Sequence, residues 1–329
     1  MILNEGNESR QMDTDAQIKG LKSSIKAIEN RLRPEAWEED VSRNNLDVAP
    51  FENLPPVSIR TPEELVQPKK NFPTDLLDGR DLMVMANRDS WPIPCPADRE
   101  GYSPGFDVQY WTSGLADHLK IMQSAKKHGV EINRLFDFGC ASGRVLRHFV
   151  AQTEIPELWG SDINQRHIRW LYEFLPARVK PIFNHCFPML PMPDNYFDLV
   201  SAFSVFTHID TFETAWLAEL RRVLRPGGLA YLTVHNEDTW HLLRDEIGNE
   251  NNRLVQSILK VDPGFAQAVF GSLPDTRTVY RHNVQGPYRA QVFHSNNYLK
   301  NVWGRFFELL EIIPRHHVRQ TVLVLRRPK

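Results

Sequence analysis

Asp137, Gly139, Ala141 and Gly143 stand at alternate positions in Arg134-Leu-Phe-Asp137-Phe-Gly139-Cys-Ala141-Ser-Gly143-Arg144. Such a set can hold a ligand through its backbone. Small residues let a ligand approach the main chain, and loop N–H groups feeding a helix N-terminus favour polar or anionic groups. The Asp137 carboxylate adds a place for a cation. Two elements must position these residues. Leu135 to Phe138 is a short apolar run broken by one acid, the pattern of a buried parallel strand. After the turn, Val145, Leu146, Phe149 and Val150 recur at helical spacing.

Two cofactor classes use a strand, tight turn and helix, and spacing separates them. A dinucleotide fingerprint wants glycine at relative positions one, three and six. Counting from Gly139, the sixth position is Arg144, too large for close helix–strand packing, so a pyrophosphate is disfavoured. An acid two residues before the first glycine suits a cationic amino-acid ligand better. A second acid, Asp162, ends the apolar run that starts at Leu158. It lies about 20 residues past the turn, the place of a carboxylate that accepts hydrogen bonds from ribose hydroxyls. An N-cap for the helix opening near Gln165 is the other reading of Asp162, although Asn164 could supply that cap.

Asp137-Phe-Gly139-Cys-Ala141-Ser-Gly143 resembles the first motif of the class I S-adenosylmethionine-dependent methyltransferases: an acid, a spacer, then Gly-x-Gly-x-Gly. Alanine replaces the middle glycine and demands an ordinary backbone conformation there. The tract from Leu190 to His208 is similar to the family's Leu-Pro-x-x-Asp-x-x-Phe-Asp pattern. It also resembles a bacterial subgroup with Ser204-Val-Phe-Thr-His208 after the fourth strand. Together these cover about 110–327.

The resemblance implies an α/β fold, a Rossmann-like seven-stranded sheet closed by an antiparallel hairpin over 306–313 and 318–325. It implies S-adenosyl-L-methionine as cofactor and no metal. Asp137, Gly139, Ala141, Gly143 and Asp162 would bind that cofactor. Asn184 and Phe187, with His185 and Cys186, would flank its adenine, and Phe203 and Ser204 would wall its methyl group. Tyr110 and Trp111, just before an amphipathic helix over about 115–128, fall where the family often closes over the cofactor; core packing is the alternative for these two rings. Asp210 and Glu213 have capping-box spacing ahead of a helix through Trp216, Leu220 and Leu224. A fifth strand over 229–234 puts His235 at the carboxyl edge of the sheet, where ligands of open α/β sheets bind.

The 329 residues suffice for one large α/β domain with additions, and a 41% apolar content supports a sizeable core. A net charge of −2 without a basic stripe leaves no electrostatic footprint for nucleic acid. Cys95, Cys140 and Cys186 are scattered without metal-ligand spacing and read as buried thiols of a reducing compartment. No apolar run approaches the ~20 residues of a membrane helix, and no signal-peptide core opens the chain; a soluble cytoplasmic protein is expected.

The expected division is an N-terminal extension, 1–109, and a methyltransferase domain, 110–329, with a substrate-side insertion at about 236–300. Within the extension a polar start precedes Ile18, Leu21, Ile25, Ile28 and Leu32. These define an amphipathic helix over 16–33, either docked on its own domain or making a homodimer through 18–32. Ten of the 23 prolines fall between Pro34 and Pro96, the composition of an extended arm wrapped on a folded surface.

Methyl transfer from a sulfonium releases a neutral leaving group, so orientation in a dry pocket supplies most of the catalysis. A hydroxyl acceptor would gain from a base, and His208, then His235, are the candidates; a structural or capping role is the alternative for each. By its subgroup resemblance the chain is expected to methylate oxygen of a small or sugar-like, glycan-type acceptor. Two other functions stay open: an NAD-dependent Rossmann oxidoreductase, and a catalytically silent cofactor-binding scaffold.

Overall fold

The computed structural model describes residues 22, 74–77, 81–102, 106–282 and 290–329. The helix expected over 16–33, its proposed dimer contact and most of the proline-rich arm lie outside the described residues. Nine strands follow in chain order: β1 (Arg134–Phe138), β2 (Glu157–Asp162), β3 (Val179–Phe183), β4 (Phe197–Ala202), β5 (Leu224–Val234), β6 (Arg277–Arg281), β7 (Ala290–His294), β8 (Glu308–His317) and β9 (Gln320–Arg326). Seven of them form one sheet in the order β3-β2-β1-β4-β5-β9-β8, and β6 pairs with β7 alone. The first five pair in parallel, while β9 runs antiparallel to both β5 and β8.

Strands buried on both faces send alternate residues into two cores. Leu135, Leu199, Leu229, Tyr231, Val322 and Val324 enter one; Phe136, Phe138, Val200, Ala202, Leu232 and Leu323 enter the other. The helices, in chain order, are α1 (Leu82–Arg88), α2 (Asp107–Lys127), α3 (Leu146–Gln152), α4 (Gln165–Phe174), α5 (Glu213–Val223), α6 (Glu237–Asp245), α7 (Arg253–Val261), α8 (Phe265–Ala268) and α9 (Asn296–Asn301). Asn164, accepting from Arg166 N at 3.0 Å, caps α4, which leaves Asp162 for other work.

Residues 81–102 are fastened to the sheet domain by a buried ion pair. Arg147 on α3 donates to Asp89 at 2.7 and 2.9 Å and to the carbonyls of Trp91 and Pro92 at 2.8 and 3.0 Å. Asp89 also accepts from the Trp111 indole at 2.8 Å. α2 starts at Asp107, well before the expected 115, so Tyr110 and Trp111 belong to the helix and pack with Met85, Ile93 and Leu115.

The insertion has its own core of Trp240, Leu243, Val255, Ile258, Phe265, Tyr280 and Phe293. Glu213 joins it to the main sheet, accepting from His294 Nε2 at 2.9 Å, Arg277 at 3.1 Å, Trp303 Nε1 at 2.8 Å and Tyr298 at 3.1 Å. Burial works to raise this carboxyl, yet His294 and Arg277 draw it down to about 2. The capping box read from Asp210 and Glu213 is therefore not formed. The residue before α5 is Phe212, at φ +59°, with no side-chain cap, because Asp210 instead accepts from Arg281 at 2.6 Å.

Candidate functional site

The carboxyl ends of β1, β2, β4 and β5 converge on the small-residue turn after β1. Gly139, Ala141 and Gly143 have φ of +72°, +47° and +78°. The left-handed Ala141 corrects the expectation of an ordinary backbone there: the turn keeps its glycine-like path and costs about 1–2 kcal/mol for the methyl group. At Gly139 an added Cβ would overlap the Val205 Cγ2, so the loop after β4 lies directly on the turn. Gly114 lets α2 approach from the other side, where a Cβ would overlap the Arg144 carbonyl.

Both acids are buried at the turn. Asp162 accepts from Ala141 N at 2.9 Å and from Asn164 N at 2.8 Å. His167 stands 3.7 Å from it on one side and 3.0 Å from Glu100 on the other. Burial lowers that imidazole, but the two flanking carboxylates raise it to about 9. Asp137 sits opposite Ser201 in the β1–β4 register and accepts its hydroxyl at 2.7 Å. Burial pushes the Asp137 carboxyl up to about 7, against the pull of Ser201 and Arg144. A carboxyl raised this way at a strand end is a place that gains from a cation.

These residues fit S-adenosylmethionine on three counts. The left-handed turn exposes backbone, the raised carboxyl of Asp137 suits an ammonium, and Asn184 carries a buried Oδ1 without a hydrogen-bond partner, suited to an amine donor. Phe187, 45% exposed, meets the Phe212 ring edge-on at 5.9 Å.

Other sequence-predicted residues are placed differently. The Trp111 ring is fully buried against His148. Tyr110 lies under the Arg99 guanidinium, and burial raises its hydroxyl to about 12 against the pull of Arg147, Arg144 and Arg99. Phe203 packs inward against His317 and Tyr231. His208 and His235 are near neighbours. His208 shares a 2.8 Å hydrogen bond between Nδ1 and the Ala290 carbonyl of β7. His235 stacks on Phe293, its Nδ1 has no hydrogen-bond partner, and burial beside His208 and His294 holds it down at about 3.

Sequence reasoning missed Tyr102, Asp117, His317 and Gln320, which gather at Ser204 and Arg144. Tyr102 contacts Ser204 and His317, His317 contacts Asp117, and Asp117 pairs with Arg144 at 2.7 Å. These residues carry no motif; the one available signal was the acid Asp117 on the apolar face of α2. Among the described residues no helix is long and apolar enough to cross a membrane, and no cluster of histidine, cysteine and acidic residues is arranged to hold a metal.

The seven-stranded sheet with its reversed last strand, and the acid-flanked small-residue turn at its carboxyl edge, define the class of the S-adenosylmethionine-dependent methyltransferases, with S-adenosylmethionine as cofactor. A family model described as "Methyltransferase domain" matches residues 110–311. The chain belongs to that family, which removes the nicotinamide alternative. It is 37% identical over 123 residues to the ubiquinone/menaquinone biosynthesis C-methyltransferase UbiE of Cupriavidus metallidurans, covering 36% of this chain and 49% of that protein. The chain thus spans about half the length of the curated relatives it matches first. An uncharacterized methyltransferase of Schizosaccharomyces pombe is 28% identical, over 61% of this chain and 73% of its own. The solved Burkholderia thailandensis 1,6-didemethyltoxoflavin-N1-methyltransferase is 14% identical with a TM-score of 0.44, covering 72% of this chain and 92% of its own.

Proposed function

We propose that the protein methylates an oxygen of a small, hydroxyl-bearing acceptor held between the loop after β4 and the 236–300 insertion. The observation that carries this is the His208 tautomer. The Ala290 carbonyl can only accept, so Nδ1 of His208 bears the proton and the lone pair of the neutral ring lies on Nε2. Burial lowers this imidazole below its usual range while the Ala290 bond works to raise it, so it stays neutral at pH 7. In that form Nε2 is an acceptor nitrogen, the polarity that a hydroxyl-bearing ligand matches. His235, enclosed and held near 3, shapes the wall rather than acting as a base.

In this reading residues 110–329 are the catalytic domain, the insertion is its acceptor side, and 1–109 are an extension. When bound, S-adenosylmethionine supplies an electrophilic methyl group on a cationic sulfur. Asp162 would hold its ribose, Asp137 its ammonium and Asn184 its adenine amine. Gly139, Ala141 and Gly143 would let it reach the backbone, with Phe187 beside the base and Ser204 beside the reacting end. Catalysis is then alignment in a water-poor cleft.

A second reading, transfer to carbon, is favoured by the printed name of the Cupriavidus relative. Incubation with methyl-labelled S-adenosylmethionine and a panel of sugars, polyols and phenols, with the methyl located by mass spectrometry and NMR, separates them. An O-methyl ether supports the first; a C-methyl product, or no transfer to any hydroxyl compound, removes it. His208→Ala should lower acceptor turnover roughly 10²-fold with S-adenosylhomocysteine binding retained.

A further inference from the structure

Tyr102, Asp117, Arg144, Ser204, His317 and Gln320 come from distant parts of the chain and meet beside the turn, and their hydrogen bonds have a fixed direction. A carboxylate accepts and does not donate, so His317 Nδ1, 3.0 to 3.1 Å from the Asp117 oxygens, carries the proton. Nε2 of the neutral ring is then the acceptor, and the Tyr102 hydroxyl 2.8 Å away must donate to it. With that proton committed, the Ser204 hydroxyl, 2.9 Å from Tyr102, donates to the phenol oxygen. Ser204 in turn accepts from Gln320 Nε2 at 2.8 Å. Every bond from Ser204 inward therefore points toward Asp117.

The inner end is buried and charge-matched; the outer end, Ser204, is half-buried. Asp117, Arg144 and His317 are 3–5% exposed. The charged groups that act on His317 are Asp117, Arg144 and Lys120, and the Phe203 ring covers it at 4.8 Å. The Arg144 guanidinium lies 4.2 Å over the Tyr102 ring. Ser204, in the left-handed region at φ +57°, is the second residue after β4, and its neighbour Val205 sits on Gly139. Tyr102 thus bridges the end of the cofactor turn and the loop that walls the reacting centre.

We infer that Ser204, Tyr102 and His317 form a proton path that deprotonates the methyl acceptor. The acceptor's O–H donates to Ser204 Oγ; its proton moves to Ser204, that of Ser204 to Tyr102, and that of Tyr102 to His317 Nε2. One O–H bond breaks on the acceptor and one N–H bond forms on His317. The new negative charge on the acceptor oxygen is matched by an imidazolium held by Asp117. The arrangement follows the logic of a carboxylate that orients a histidine and stabilises its charged form, lengthened by two hydroxyls.

The inference rests on the methyl-transfer reading, and its test separates the two. The full chain is saturated with S-adenosylhomocysteine and titrated with 4-nitrophenol, whose phenolate absorbs visible light, while ¹⁵N NMR follows the His317 ring. The wild type should ionise bound 4-nitrophenol at a lower pH than free solution does, and His317 should gain a proton at the same time. Tyr102→Phe, which keeps the ring under Arg144, should raise that ionisation pH by at least ~1 unit and leave His317 neutral. Ser204→Ala and His317→Gln should raise it likewise, the His317 variant with cofactor affinity within about threefold of wild type. Ionisation unchanged in these variants, or a wild type that binds S-adenosylhomocysteine yet leaves the phenol neutral, overturns the proton path alone. A folded wild type without S-adenosylhomocysteine binding takes down the methyl-transfer reading as well.

Discussion

The two walls of the proposed cleft are built on different principles. The proposed cofactor wall is backbone and two acids within one stretch of chain, from Asp137 to Asp162, and its shape follows from strand, turn and helix. The proposed acceptor wall is made of side chains recruited from residues 102, 117, 204, 208, 317 and 320, which distant segments bring together through hydrogen bonds and an ion pair. A wall made of backbone tolerates little change in size but needs few partners. One made of side chains depends on buried charges being satisfied.

That contrast is open to attack at its anchors. The largest effect is expected from Arg147→Ala, which leaves Asp89 buried without its cation and the Trp91 and Pro92 carbonyls without their donor. A loss of about 3–5 kcal/mol in urea unfolding is expected; a change under ~1 kcal/mol would show that this pair is not an anchor. Next, Gly139→Ala places a methyl group against Val205 in a left-handed backbone. Strain and overpacking together should cost about 2–4 kcal/mol and most of the S-adenosylhomocysteine affinity. Normal affinity in a folded variant would mean the turn does not approach its ligand closely.

The junction between the walls should respond to pH. His167 lies between Asp162 of the cofactor wall and Glu100 of the segment that carries Tyr102. Its folded pKa of about 9 exceeds the unfolded value of ~6.5, so its contribution is fully present below about pH 6.5 and lost as pH rises through about 9. Stability should fall over that window by an amount on the order of 2 kcal/mol, and His167→Gln should flatten this part of the profile. A wild-type profile that rises toward pH 9 would contradict the bridge. The smallest effect is Ala141→Gly, which relieves a left-handed alanine and should stabilise by roughly 1 kcal/mol in thermal unfolding. A destabilised variant would show that the methyl group does packing work there.

The strand, turn and helix around Gly139 were legible in the sequence because their signals are local. Glycine spacing, apolar runs and an acid at each strand end are local signals, and the strand–turn–helix and the sheet they imply are the ones found. The one local misjudgement, Ala141, arose because residue type alone does not reveal that neighbours hold an alanine left-handed. The proposed acceptor wall was illegible because its bonds span as many as 215 positions. His317 closes the β8–β9 hairpin, and nothing in its surroundings in the sequence announces Asp117. The failed capping box at Asp210 and Glu213 has the same origin: both acids are taken by Arg277, Arg281 and His294 of the insertion. Trp111, an expected cover for the cofactor, is claimed by Asp89.

The central claim, that the turn and Asp162 form a working S-adenosylmethionine site, is tested most directly by calorimetric titration of S-adenosylhomocysteine into the wild type and Asp162→Ala. Roughly micromolar binding by the wild type, weakened at least ~30-fold in a variant that still unfolds cooperatively, is the expected result. A folded wild type that binds nothing, or a variant that binds as well as its parent, would contradict it.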